Sequence, residues 1–317
     1  MRRVDNLYFP LPKDLKAVIQ NAFDKGKYKG SFDNIGLVIS KYTPFTEIYG
    51  ELEKSKYDKF DPINLPSEAL KLYEKYYENL KDLWVANKAI IFSTKTKSRL
   101  IVGLGDESVY ETSIKLHRNY GVPYIPGSAL KGVAKHYAVY RLTKDNFHQL
   151  KDMFNEEDFF KLAGEVQKLL EKSDDCNDLK FKLNSEEISL NDLRKIFGTQ
   201  SYEGSVIFFD AFPTYDCLKK RAENKKPTLE LDVMNPHYQP YYQHDEPPGD
   251  WHSPNPIFFL TVPEGIEFKF AIAPRSSDNE LPSKAKALLE SSLEKFGVGA
   301  KTSLGYGRFE QCHSRKE

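Results

Sequence analysis

From Lys295 to Phe309 the chain sets four glycines, Gly297, Gly299, Gly305 and Gly307, among Lys301, Thr302, Ser303, Tyr306 and Arg308, without one acid. Glycine reaches positive φ and has no Cβ, so such backbone can fold back on itself and present its N–H groups as a concave nest for an anion. Before it, Ala285, Leu288, Leu289, Ser292 and Phe296 share one helical face, with Ser283 after Pro282 as the expected cap and Gly297 just past the helix end. After it, residues 304–310 read as a strand. The order helix, loop, strand, with Ala300 rather than glycine before Lys301, excludes a nucleotide P-loop, which runs strand, loop, helix. A phosphate-binding loop and a purely structural glycine turn both remain open.

The chain has 317 residues, 40% hydrophobic and 29% charged, enough apolar material for one elaborated domain or two smaller ones. Cys176, Cys217 and Cys312 form no CxxC, which argues against a zinc knuckle or a disulfide framework and fits a reducing cytoplasm. Mixed residues follow Met1-Arg2-Arg3, so no secretory leader is expected. Apolar runs such as 256–262 are too short to span a bilayer, so no membrane partner is expected. The formal net charge is zero, yet the charge is segregated. Residues 87–105 carry Lys88, Lys95, Lys97 and Arg99 and no acid, and residues 121–143 carry Lys131, Lys135 and Arg141 and no acid. Residues 145–192 hold thirteen acids against six lysines. Segregation of this kind defines a binding face that the total conceals.

In chain order, spacing predicts a helix over Pro12–Phe23, a turn at 25–30, a short strand at 35–39, and a helix from Ser67 to Trp84 with Leu70, Tyr73, Tyr77, Leu80 and Trp84 on one stripe. Residues 89–105 read as strand. Their alternating hydroxyls and lysines, 93–98, suit either an exposed sheet edge or a track along phosphates. Residues 147–170 read as one acidic helix with a solvated face, followed by a polar linker at 174–178. The segment 229–256 is rich in Pro, Tyr and His. His237, His244, His252 and Asp250 match no ligand spacing, so no metal and no cofactor is expected there, and partner contact ahead of base stacking is the expected role.

A second motif lies at 120–137. Pro126 and Gly127 punctuate the chain, Ser128 is the expected N-cap, and a helix follows with Leu130, Val133, Ala134 and Tyr137 inward and Ser128, Lys131 and Lys135 outward. A helix N-terminus beside two lysines is an anion site by construction.

The segment Pro-Tyr-Ile-Pro-Gly-Ser-Ala-Leu-Lys-Gly at 123–132, paired with the glycine-rich loop at 297–309, resembles the RAMP superfamily of CRISPR proteins. Within it, the chain is most similar to the sixth-subunit branch of type III-B (Cmr) effector complexes. Residues 99–105, 111–114, 196–198, 208–211 and 235–238 continue the resemblance, which covers roughly Trp84 to the end.

The resemblance implies an α+β fold, a ferredoxin-like, RRM-related βαββαβ core with large helical and loop insertions. The expected strands lie near 99–104, 204–210, 257–272 with a turn at Pro263–Gly265, and 304–310, and the expected helices at 128–141 and 283–296. Residues 1–85 would be a helical extension packed on a RAMP domain at 86–317, interrupted by an acidic helical insertion at about 144–195. It also implies an RNA-binding subunit without catalysis. Gly127, Ser128, Lys131 and Lys135, with Gly297, Gly299, Lys301, Thr302 and Ser303, would hold guide-RNA phosphates, while Tyr306 and Arg308 support the loop or stack. Partners would be the CRISPR guide RNA toward its 3′ region and other Cmr subunits: the repeated backbone RAMP subunit, a small helical subunit and another RAMP subunit.

Relatives in the superfamily include ribonucleases, so a guide-RNA-processing endoribonuclease is the opposing reading, and a mainly structural cap is a third. General acid–base cleavage needs a group such as His136 or His117 near the loop, and neither shows a paired base in sequence. Target-cleaving backbone subunits carry an aspartate before the Pro-Gly-Ser motif. The counterpart here is Glu111, with Asp106 in poorer register, and that departure implies no cleavage by this chain.

Overall fold

A strand buried on one face and wet on the other alternates, and residues 90–97 do so: Phe92, Thr94 and Thr96 are buried while Ile91, Lys95 and Lys97 are exposed. A computed structural model of the chain describes residues 34–41, 63–172, 179–184, 186–235, 256–275 and 280–312. It also describes positions 247, 249 and 254 and short strands at 7–8, 23–24, 27–28, 45–48 and 51–54. The chain forms two compact units. One holds residues 1–76, 99–124 and 213–266, the other 77–98, 125–212 and 267–317.

In the second unit, β1 (Ile90–Thr96) is followed by α1 (Gly127–Asp145), β2 (Val206–Phe208), β3 (Glu267–Pro274), α2 (Glu280–Lys295) and β4 (Phe309–Gln311). All pairings are antiparallel: β4 with β1 (Phe309 opposite Thr96), β1 with β3 (Phe92 opposite Phe270), and β3 with β2 (Ile272 opposite Phe208). The spatial order is therefore β4–β1–β3–β2. Helices α1 and α2 pack against each other and against the strands. Phe268 and Phe270 meet Phe309 edge-on at 5.9 and 5.8 Å, and Phe92 stacks on Phe270 at 5.2 Å, so the apolar core joins three strands.

Several expectations need correction. The run read as strand to residue 105 stops at Thr96, because Ser98 turns to accept the Arg308 amide through Oγ at 3.0 Å, and Leu100 makes only a single bridge to Val262. β1 lies between two strands, which removes the exposed-edge reading of its lysines. Residues 257–272 are divided as expected by the turn at 263–265, Ile257–Thr261 pairing with Glu230–Met234 and β3 with β1. Leu304 ends a 3₁₀ turn and residues 305–307 are turn, so β4 begins only at Phe309. Ser283 lies inside α2, after the buried Leu281 and Pro282, and caps nothing.

Between α1 and β2, the expected single acidic helix is two, Phe147–Phe154 and Phe159–Glu171. Asn155 breaks it in the left-handed conformation (φ 49°), and Asp158 caps the second helix by accepting from the amides of Phe160 and Lys161, each at 2.9 Å. Leu162, Val166 and Leu170 repeat every four residues on its buried side. A hairpin (Lys180–Leu183 with Glu186–Ser189) leads into helix Leu190–Phe197, whose Ser189 and Asp192 form a reciprocal capping box. Lys284 of α2 pairs with the same Asp192 at 2.9 Å.

In the first unit, residues 35–41 are a helix rather than the expected strand. Ile35, Val38 and Ile39 are buried at helical spacing while Leu37 is exposed. Strands 7–8, 45–48 and 51–54 form one antiparallel sheet. Arg99, one of the cations expected to be available to a ligand, pairs with Asp232 at 2.7 Å. The helix Ser67–Ala86, whose residues 67–76 belong to this unit and 77–86 to the other, has the expected stripe, with Leu70, Tyr73, Tyr77 and Trp84 buried, and Tyr73 donates its hydroxyl to the Pro213 carbonyl at 2.6 Å. The readings at 12–22 and 174–178, and the candidate metal residues His237, His244, Asp250 and His252, lie outside the described residues. Among the described residues no helix is long and apolar enough to cross a membrane.

Candidate nucleic-acid interface

Helix α2 ends as its sequence suggests. The Phe296 and Gly297 amides both return to the Ser292 carbonyl, at 2.8 and 2.9 Å, and Gly297 takes φ 76°. Phe296 then packs among α1 side chains, 5.4 Å from the His136 ring and 5.3 Å from the rings of Tyr137 and Tyr140. Lys295 also reaches the Tyr137 hydroxyl at 3.3 Å. The stem of the glycine-rich loop is thereby fixed to α1 just past Lys131 and Lys135, so the two sequence motifs do meet in one unit.

The loop closes at a neck. The buried Val298 donates its amide to the Gly307 carbonyl at 3.0 Å, and Gly307 has φ 70° and so little room that a Cβ would overlap the Val298 carbonyl oxygen. Above the neck, Thr302–Leu304 form one 3₁₀ turn between two left-handed residues, Lys301 (φ 59°) and Gly305 (φ 94°). The Lys301 carbonyl accepts from Leu304 at 2.9 Å and from Tyr306 at 3.3 Å, and Thr302 accepts from Gly305 at 3.0 Å. Among the described residues, the amides of Gly299, Ala300, Thr302 and Ser303 donate to no protein acceptor. Gly299 and Ser303 are exposed, and Lys301, Thr302 and Tyr306 are half-exposed. The loop thus gathers amide donors beside one lysine, with no acid in its sequence.

Below the neck, Arg308 is held by its backbone, its amide to Ser98 Oγ at 3.0 Å and its carbonyl to the Lys97 amide at 2.8 Å. Its Nη1 is buried and has no hydrogen-bond partner among the described residues.

The start of α1 differs from expectation. Pro126, not Ser128, occupies the cap position, and Ser128 is the second helical residue, exposed and without a side-chain cap bond. The carboxylate there comes from Asp210, whose Oδ1 accepts the Gly127 amide at 2.7 Å. Pro126 accepts from Ala129 and Leu130 at 2.9 and 3.1 Å, which leaves Ser128 as the opening amide without an acceptor among the described residues. The bare helix end expected at Gly127 is thus already partly neutralised. Gly127 itself serves packing, because a Cβ there would overlap the Phe208 carbonyl of β2.

Burial, then the charges of Arg275 and Lys135, push the Lys131 ammonium below its ordinary value of 10.5, while Glu203 opposes them. Lys135 pairs with Glu171 at 3.2 Å, and Arg275 with Glu203. Arg275 was invisible in sequence, since it follows β3 far from either motif and only the fold brings its charge to Lys131. Of the acid–base candidates, His136 is exposed with its ring on Phe296, and Asp106 is paired with Lys115. Glu111 is exposed, and His117 packs among Tyr76 and Tyr120 at 4.9 and 5.0 Å.

Both motifs lie inside the span that a known protein family matches. The family description "RAMP superfamily" matches residues 94–310, from within β1 to within β4. The CRISPR system Cmr subunit Cmr6 of Pyrococcus furiosus is 46% identical over 269 residues, 78% of this chain and 75% of that protein. The Saccharolobus solfataricus Cmr6 subunit is 26% identical over 270 residues, 81% of this chain and 72% of that protein. The crystal structure of Pyrococcus furiosus Cmr6 aligns at 45% identity over 71% of this chain and 97% of its own, with a TM-score of 0.46. A chain from the cryo-EM structure of the type III-B Cmr-beta complex bound to cognate target RNA aligns at 21% identity over 75% of this chain and 64% of its own, with a TM-score of 0.47. The chain therefore belongs to the RAMP superfamily of CRISPR proteins, in its Cmr6 family.

Proposed function

We propose that this chain is the RNA-binding, non-catalytic Cmr6-type subunit of a type III-B (Cmr) effector complex, working in the cytoplasm in antiviral defence. It holds the backbone of the guide RNA toward the 3′ region, beside the repeated backbone RAMP subunit, a small helical subunit and another RAMP subunit. The observation that carries this reading is the loop above the Val298–Gly307 neck, where amides without a protein acceptor among the described residues lie beside two hydroxyls and Lys301 with no acid in the segment. Such a surface holds phosphates without reading bases, which suits a subunit that must accept any guide sequence. The order β1-α1-β2-β3-α2-β4 with sheet order β4–β1–β3–β2 supports a ferredoxin-like core that carries the loop between α2 and β4.

The test is crosslinking to the guide, and its salt dependence, within the assembled complex. Lys301→Ala and Lys131→Ala should each weaken binding independently of sequence and make the log–log salt slope shallower by about one unit. Crosslinking and slope unchanged in both variants would sink the clamp. For catalysis, repeat RNA incubated with the chain in EDTA should stay intact. Site-specific cleavage that disappears in His136→Ala would instead establish a processing nuclease.

A further inference from the structure

The donor-lined tip of the loop also carries a residue of the opposite character. Leu304 closes the 3₁₀ turn and is 74% exposed, next to the exposed Ser303 and to Gly305, around whose Cβ position there is nothing within 4 Å. It is not a floppy tip. The Leu304 amide is bonded to Lys301 at 2.9 Å, the next amide to Thr302 at 3.0 Å, and the neck is shut beneath them. A leucine whose backbone is held in place while its side chain lies in water has apolar surface that a ligand of the loop can cover. A protein groove is the poorer match, because Leu304 is the one exposed large apolar side chain among residues 297–309, beside a lysine, hydroxyls and amides, whereas protein docking sites gather several apolar side chains around an anchor. A single aliphatic side chain flanked by phosphate donors does match the gap between two neighbouring bases of a strand, where apolar wedges enter and unstack one step.

We infer that Leu304 is such a wedge. It enters one base step of the RNA strand whose phosphates the surrounding loop holds, so the inference rests on the clamp reading above. Every base offers an apolar face, so the wedge fixes the register of the strand on the protein without choosing a sequence.

The experiment uses the assembled complex with guides carrying 2-aminopurine, whose fluorescence rises on unstacking, at one position at a time. With the parent chain, one position near the loop should be bright. Leu304→Ser should return it to the stacked level and weaken the hold on the guide by up to about tenfold, while Leu304→Met keeps both. If no position depends on Leu304, the wedge is wrong. If Leu304→Ser instead lowers incorporation of the chain into the complex and leaves the fluorescence pattern unchanged, the leucine docks on protein and the inference is equally wrong. Lys301→Ala separates the two claims. Should it weaken guide crosslinking while Leu304→Ser dims no position, the clamp stands and the wedge alone fails. Should neither variant change anything, both fail.

Discussion

Alanine at Gly307 and alanine at Gly305 look alike on paper and should behave very differently. Each residue has positive φ, 70° and 94°, and a left-handed alanine costs about 1–2 kcal/mol. At Gly305 that is the whole cost, since an added Cβ meets nothing within 4 Å. At Gly307 the Cβ would overlap the Val298 carbonyl, and relief requires Val298 and Gly307 to separate. That breaks the 3.0 Å bond between two buried residues, which adds roughly 2–3 kcal/mol for the lost bond and the unpaired groups it leaves. Gly307→Ala should thus cost about 3–5 kcal/mol against about 1–2 for Gly305→Ala. Trp84 is fully buried in the unit that carries the loop, and the chain has only two tryptophans. In a Trp251→Phe background its fluorescence therefore follows that unit through urea unfolding, and the midpoint shift converts through the slope. Gly307→Ala should also loosen RNA binding without altering the salt slope, because no charge is removed. Equal stability losses in the two variants would refute the neck as the element that shapes the loop.

Two further outcomes depend on pH. Lys131 is held below the ordinary lysine value by burial and by Arg275 and Lys135, so it loses its charge earlier as pH rises. Binding of a 2′-O-methyl RNA should begin to fall below pH 10.5, the ordinary value, and Lys131→Arg should remove that early fall; an unchanged profile in Lys131→Arg would count against Lys131 as a phosphate ligand. For Asp192, burial pushes the carboxyl up, but the Ser189 amide and hydroxyl and the Lys284 ammonium outweigh it and hold it below the ordinary 3.8. A depressed folded value means its stabilisation is full above 3.8 and disappears as pH falls through the lower folded value. Asp192→Asn should therefore cost about 1–2 kcal/mol at pH 7 and converge with the parent in strong acid. A urea midpoint gap that persists there would exclude the carboxylate charge as its cause.

How much of this a reader of the sequence could see depended on how local each cause was. The loop was legible because its glycines, its lysine and the helix before it are contiguous, and Gly297 takes the φ its position demands. The Ser128 cap failed because the group that fills its role, Asp210, is remote in sequence and reaches Gly127 only in the fold. The end of β1 was misplaced because residues 89–105 form one uninterrupted strand-like run, and the bond that turns Ser98 away comes from Arg308. The helix at 35–41 was available in principle. Ile35, Val38 and Ile39 have helical spacing, but a run of five apolar-rich residues reads equally as strand until its burial is known. Leu304 carries no signal in sequence, since a leucine between serine and glycine stands out only through its 74% exposure.

The place of β1 in its sheet has a consequence for how the chain is made. Both of its partners, β3 and β4, come from the C-terminal part of the chain. At about 5–20 residues per second, the first of them leaves the ribosome roughly 10–35 s after β1 does. Throughout that interval a strand of high β-propensity has no neighbour and must not find one on another nascent chain. Lys95 and Lys97, with the hydroxyls of Thr94, Thr96 and Ser98 around them, keep such a strand soluble while it waits. Lys95 and Lys97 would thus serve the polypeptide during synthesis, before there is a sheet to belong to or a guide to meet.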